Sequence, residues 1–269
     1  YKEALESIFK FEETRDYSLE RVFKAMELLN NPLKNIKIIH IAGTNWKGSV
    51  SRMVYSVLKN AWKSVWTFNQ PHLVDIRERF LTSKWMITKK EFLLILNKIL
   101  SLPLDLSYFE KTTLIAFLFF ELKEVEYACV EVWFWWLLDS TNVVNPCITA
   151  ITSIWFDHTD FLWDTLEKIS YHKAWIIKPW IPIVYNHENK VIEKIAIEKE
   201  APIIFTKKEF ETNLKWDYQK RNAWIAYKIC KYLWFDEAQI LSWFQKIEHN
   251  WRLQKISKNL IIDWAHNID

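Results

Sequence analysis

Ile36–Val50 reads IKIIHIAGTNWKGSV, a mostly apolar run that breaks at Gly43 into a short polar corner. A run that is continuous rather than alternating suits a strand buried on both faces of a parallel sheet. The corner after it, Gly43-Thr44-Asn45-Trp46-Lys47-Gly48-Ser49, fits a loop whose backbone N–H groups and following helix N-terminus face a phosphate. Lys47 would add a point charge for the outer phosphates. An ordinary strand-to-helix turn with an exposed lysine would use the same residue types. One residue is out of place. A Cβ and an indole at Trp46 would fill the volume a phosphate needs and would resist a positive φ.

Outward from this corner the chain alternates strand and helix patterns. Before it, YKEALESIFK and SLERVFKAMELL repeat apolar residues at helical spacing. After it come a helix in SVSRMVYSVLKNA and a strand in SVWTF. A capping box at Thr88 and Glu91 opens a helix over 89–100, and 108–123 is a strongly apolar helix. EYACVEV and CITAITSI read as buried strands, and Asp164 with Glu167 as the capping box of a helix over 165–172. IPIVYN and APIIFT read as strands, and 188–199, 218–233 and 236–247 as helices. The alternation predicts an α/β fold, a doubly wound and mostly parallel sheet, over residues 1–248. LQKI and NLIID read as the first strands of a second α/β domain occupying 249–269, with the rest of it expected beyond Asp269 and a start expected before Tyr1.

Half of the 269 residues are hydrophobic, and 36 basic against 33 acidic side chains leave a net charge of +3. So small an excess gives no electrostatic reason to expect nucleic acid as a partner. Cys129, Cys147 and Cys230 lack metal-type spacing and are expected as reduced thiols. No signal-peptide pattern opens the chain, and the longest apolar stretch, Leu114–Phe120, is too short to span a bilayer. A cytoplasmic monomer with no membrane association is expected. One count does not fit. Glycine occurs 2 times and tryptophan 17 times. Ordinary usage of about 7% glycine would put about 19 in a chain of this length, the number the two types make together. Either the protein is nearly free of glycine, or most tryptophans stand where the living chain has glycine.

With Trp46 read as glycine, residues 40–50 become HIAGTNGKGSV, which resembles the P-loop of the folylpolyglutamate and dihydrofolate synthases of the Mur ligase superfamily. PHLVDIRERF at 71–80 resembles their substrate-side loop, and SYFEKTTLIAFLFF at 107–120 the segment lining their pterin pocket. VEVWFWWLLDSTNVV at 130–144 and ITSIWFDHTDFLWDTLEKI at 151–169 are similar to family motifs that carry glycine at the tryptophans. KAWIIKPW at 173–180, WRLQ and IIDWAHN continue the likeness to the end of the chain. Trp46, Trp133, Trp135, Trp136, Trp155, Trp163, Trp175, Trp180, Trp251 and Trp264 all fall on family glycines, and Trp62 and Trp66 are aligned with glycines too. The expectation is that UGA encodes glycine here and has been written as tryptophan.

The resemblance also implies roles. Spacing by itself leaves Glu131 and His158 as a strand-end acid and a surface histidine; the family likeness implies that they hold Mg2+ beside the triphosphate of ATP, with Asp157 in support. The family's further metal-associated serine corresponds to Gln70, whose amide oxygen would ligate directly or through water. Leu137 replaces a family arginine ahead of Asp139. Lys173 matches a lysine that the family carries carbamylated, though alone it reads as a helix-end surface lysine. Asn222, Arg252, Asp263 and His266 match residues gripping ATP, beside Gly43, Thr44, Asn45, Trp46, Lys47, Gly48 and Ser49. Pro71, His72, Tyr108, Phe109, Glu110 and Asp139 are implied on the substrate side, and Lys47, His158 and Lys173 in catalysis.

What this implies is ATP-dependent addition of L-glutamate to a folate or to dihydropteroate through an acyl phosphate. Alternatives left open are a truncated, non-catalytic ATP-binding remnant, another Mur-type amide ligase, and an unrelated P-loop ATPase or kinase.

Overall fold

The structure, a computed structural model, describes residues 1–9, 18–72, 74–82, 86–133, 138–156, 165–205, 209–214, 217–247, 254–257 and 260–262. Helices α1 (Lys2–Phe9) and α2 (Glu20–Leu28) lead into β1 (Lys37–Ala42), and the polar corner opens α3 (Lys47–Asn60). β2 (Val65–Phe68) is followed by a short strand, β3 (Phe80–Thr82), then by α4 (Lys89–Leu100), α5 (Tyr108–Leu122) and β4 (Tyr127–Glu131). The alternation continues through β5 (Ile148–Ile151), α6 (Leu166–Lys173), β6 (Ile183–Tyr185), α7 (Lys190–Glu198) and β7 (Ile203–Phe205). Two helices, α8 (Asp217–Tyr232) and α9 (Glu237–Phe244), complete the layer. β8 (Gln254–Ser257) and β9 (Leu260–Ile262) form a separate antiparallel pair, at the two stretches read as strands in the sequence.

The seven-stranded sheet has the order β3-β2-β4-β1-β5-β6-β7, parallel except for β3. Chain order reverses at β1, with β2 and β4 to one side and β5 to the other, so the β1–α3 corner opens at the switch point. Side chains alternate between two cores. Ile38, Ala128, Val130 and Phe68 pack with α5, while Ile39, Ile41, Tyr127 and Cys129 pack with α3 and α8. Both faces of β1 are thus covered, which is why its sequence does not alternate.

The capping boxes at Thr88/Glu91 and Ser107/Glu110 form with both reciprocal bonds. Asp164, the expected cap of α6, lies outside the described residues, and the N-cap is Thr165, one residue later. The Thr165 hydroxyl accepts the Lys168 N–H at 3.3 Å, from an extended backbone that Leu166 no longer has. The edge strand β3 was not legible either: three residues inside a loop-like stretch carry no periodicity. Helices α3 and α8 end with a left-handed residue just past the cap, Trp62 (φ 59°) and Trp234 (φ 69°). Each donates one of the paired backbone bonds that close such an end, a position glycine usually fills. Among the described residues no helix is long and apolar enough to cross a membrane.

Candidate functional site

Three strand ends build one edge. β1 delivers the loop 43–46, the neighbouring β4 delivers Glu131, and β5 on the other flank delivers Thr152 and Ser153. The loop is sewn to β5. Thr44 N–H donates to the Ser153 carbonyl at 2.8 Å, Asn45 N–H to the Ser153 hydroxyl at 2.9 Å, and the Thr152 hydroxyl to the Asn45 carbonyl at 2.5 Å. The Thr44 hydroxyl lies 3.0 Å from both the carbonyl and the N–H of Trp155. Gly43 is required on two counts: its φ is +151°, and a Cβ there would stand 1.8 Å from the Thr152 hydroxyl.

Trp46 ends the loop with φ 67°, at the N-cap of α3, and its indole stacks on Tyr218 at 3.9 Å. Lys47 folds its ammonium over the corner, donating to the carbonyls of Gly43 at 2.8 Å and Thr44 at 2.9 Å. Gly48 faces Glu131, whose carboxylate would stand 3.6 Å from a Cβ at that position. Glu131 is only 2% exposed, so the helix start and a buried carboxylate share one small space. Below them Ser49 accepts the Gln219 amide at 3.3 Å, and Gln219 in turn accepts Asn222 at 3.2 Å, both from buried positions on α8. The structure therefore brings Asn222 to the loop through Gln219.

The same edge extends past β2. Phe68 pairs with Val130, which sets Gln70 just beyond the level of Glu131. Arg79 donates to the Gln70 amide oxygen and, from Nε at 2.8 Å, to His72 Nδ1. Its guanidinium lies 5.8 Å from the ring centre of Tyr108 and 5.7 Å from that of Trp133. Burial, and then the Arg79 charge, hold His72 below the usual histidine range, and burial raises the Tyr108 phenol. Phe109 stacks on Phe68 at 6.4 Å, and Pro71 is exposed. Glu110 has work inside the fold: it closes the cap of α5 through Ser107 N–H at 2.6 Å and pairs with Arg21 at 3.2 Å.

Asp139 ties the ends of the stretch after β4. One oxygen accepts Trp133 N–H at 2.8 Å, and the other accepts both the N–H and the hydroxyl of Thr141. The Thr141 hydroxyl also meets the buried His40 ring at 3.1 Å. Burial, followed by the Lys178 charge, pushes His40 down to about 3, so this imidazole is neutral. Lys173 is the last residue of α6 and is 1% exposed. His158, Arg252, Asp263 and His266 lie outside the described residues, as does Asp157.

A buried carboxylate and a serine hydroxyl beside a helix N-terminus offer oxygen ligands suited to a hard divalent cation shared with phosphates, and the nearby lysine is suited to the phosphates themselves. Among the described residues no group of three His, Cys, Asp or Glu side chains is placed to hold a metal ion. Sequence reasoning did not find Arg79, Gln219, Tyr218 or His40. Gln219 had a signal, lying three residues before Asn222 on one helix face. Arg79 had none.

Comparison with known proteins fits this geometry. The dihydrofolate synthase/folylpolyglutamate synthase of Bacillus subtilis (strain 168) is 37% identical over 175 residues, covering 62% of this chain and 41% of that protein. The chain spans less than half the length of the first curated relatives it matches. The crystal structure of folylpolyglutamate synthase from Thermotoga maritima superposes with a TM-score of 0.86 at 28% identity, over 99% of this chain and 71% of that one. The bifunctional folylpolyglutamate synthase/dihydrofolate synthase from Yersinia pestis, complexed with AMPPNP and a Mn ion, gives 0.88 at 26% identity, over the same shares. The Mur ligase middle domain matches residues 41–240, most of the nucleotide-facing layer described above. The chain belongs to the Mur ligase family.

Proposed function

We propose that the chain carries the nucleotide-binding part of an ATP-dependent ligase that adds L-glutamate to a folate or to dihydropteroate through an acyl phosphate. The observation that carries this reading is the corner between β1 and α3, where Lys47 covers the loop carbonyls and Gly48 stands against the buried Glu131. The Yersinia relative, which holds AMPPNP and Mn, supports ATP with a divalent cation, and the Bacillus relative's name supports the acceptor class. In this reading Lys47 leaves the loop carbonyls to neutralise the outer phosphates, and the loop N–H groups orient them. A cation held by Glu131, with His158, would draw charge from the γ-phosphate. Lys173 is read as the family's carbamylated lysine, and Asn222, Arg252, Asp263 and His266 as nucleotide contacts. Residues 249–269 are read as the opening of the C-terminal domain.

The test is ADP release. It is expected only when a pteroate-class acceptor and glutamate are both present, and to be lost in Lys47→Ala. Release that is indifferent to glutamate would sink the ligase reading. Intact mass heavier by one CO2, removed by Lys173→Ala, is the expected sign of carbamylation.

The same reading includes glycine at most of the tryptophans, through UGA decoded as glycine. Its support is conformational. Trp46, Trp62, Trp180 and Trp234 hold φ values of 67°, 59°, 61° and 69°, a region that side chains with a Cβ enter at a cost. Glu124 and Glu200 occupy left-handed helix ends too. Trp66 differs: it is buried and packs edge-on against Phe119 at 4.4 Å. Peptide mass spectrometry of protein from its native source distinguishes the two residues, and indole masses at 46, 62, 180 and 234 would end the idea.

A further inference from the structure

Lys178 follows the helical turn Ala174–Ile176, and its ammonium donates to the Asn142 carbonyl at 2.8 Å. Lys199, at the C-cap of α7, sends its own ammonium back to the Ile177 carbonyl at 2.7 Å, one residue from Lys178. The third member of the group is His40 of β1, on which the Lys178 charge acts. Among the described residues no carboxylate pairs with Lys178. The Glu198 charge reaches Lys199, and Asp139 is engaged with the Trp133 and Thr141 N–H groups. Cations thus gather here on neutral carbonyls.

An ammonium at Lys178 is poorly served. Burial withdraws water from it and the like charge of Lys199 opposes it, so its pKa falls from the ordinary 10.5 to about 8. Its acceptor does not require a charge. An amide N–H at the same atom could keep the bond to Asn142 and would end the repulsion. Lys178 is half-buried, which leaves part of it open to small reagents. We infer that Lys178 is a modification site, an amine that takes the acyl group of small acyl phosphates and keeps it as an amide. An acyl phosphate suits the cluster because Lys199 attracts its phosphoryl anion. The Lys178 lone pair attacks the carbonyl carbon, and the C–N bond forms as the C–O bond to phosphate breaks. Phosphate leaves with that electron pair, and the amine proton passes to water. The product is neutral, so the charge that disfavours protonated His40 disappears with it. None of this needs ATP or a folate, so it stands apart from the proposed ligase reaction.

The test uses acetyl phosphate on the folded wild-type chain, with peptide mass spectrometry following acetylation at each lysine over time. At about pH 7 Lys178 is expected to react about tenfold faster than Lys194, an exposed lysine of α7, because far more of it is free amine than of an ordinary lysine. The advantage should shrink above about pH 10, where any lysine is largely free amine, and vanish in urea, where the cluster is gone. Lys199→Gln removes the neighbouring cation and should slow Lys178 by about threefold, the size of half a pKa unit, with Lys194 unchanged. Lys178 labelled no faster than Lys194, or keeping its advantage in urea, would overturn the inference. An unchanged Lys178 rate in Lys199→Gln would remove the cluster as its cause and overturn it equally. If that variant does not fold by circular dichroism, the wild-type ratio in buffer and in urea still decides.

Discussion

At position 46 the conformation and the side chain disagree. A left-handed φ serves the loop, because it turns successive N–H groups toward one point, yet the indole it carries lies over Tyr218 beside that point. Trp46→Gly is expected to tighten AMPPNP binding by about tenfold, or about 1.4 kcal/mol, in a calorimetric titration; unchanged affinity would show that the ring does not intrude. Gly43 offers the converse case. Gly43→Ala forces a Cβ into the Thr152 hydroxyl and should cost about 3 kcal/mol or more in urea unfolding. Both positions were legible because a phosphate corner has strict backbone needs. Arg79 was not, since Arg77 and Arg79 are alike on paper. In the fold Arg77 turns to Asp75 at 2.9 Å and Arg79 turns inward.

Helix ends were the most readable elements, for a local reason: a cap is decided by residues within one turn of each other. Ser107→Ala breaks the reciprocal box of α5, leaving the Glu110 N–H without its hydroxyl acceptor at 3.1 Å. The expected cost is about 1 kcal/mol, seen as a lower urea midpoint with an unchanged slope. A changed slope would mean that the helix end frays in the folded state. The misplaced cap at Thr165 shows the limit of the same reasoning. Asp164 and Thr165 are adjacent and both residue types can cap, and Thr165 is the one with the extended backbone and the hydrogen bond of an N-cap. The pairing of α8 with α3 through Gln219 and Ser49 joins residues 170 apart, and no local pattern encodes it.

Across the whole molecule, parallel strands and two-sided burial could be read from the sequence, while strand order could not. Which flank each crossover takes depends on packing among helices far apart in the chain. Strand β1 sits at the centre of that order and carries His40, the buried imidazole beneath the switch point. Its folded pKa of about 3 lies below the ordinary 6.5, so the unfolded chain takes up a proton first as the pH falls. Stability from this residue is intact above about pH 6.5 and drains toward about pH 3, at up to about 1.4 kcal/mol per pH unit. Thermal melts of His40→Gln should therefore be flatter than wild type over that window. Parallel profiles would mean that the ring titrates normally.

The indoles just past α3 and α8 stand almost wholly in water, Trp62 at 94% and Trp234 at 95% exposure. Such rings emit at long wavelength and are reached at once by a dissolved quencher such as iodide. A polypeptide with glycine at those two bends, and at most of the other tryptophans, would be nearly dark under the same excitation and would absorb far less ultraviolet light per gram. A spectrum from one cuvette therefore reports on how this gene is read.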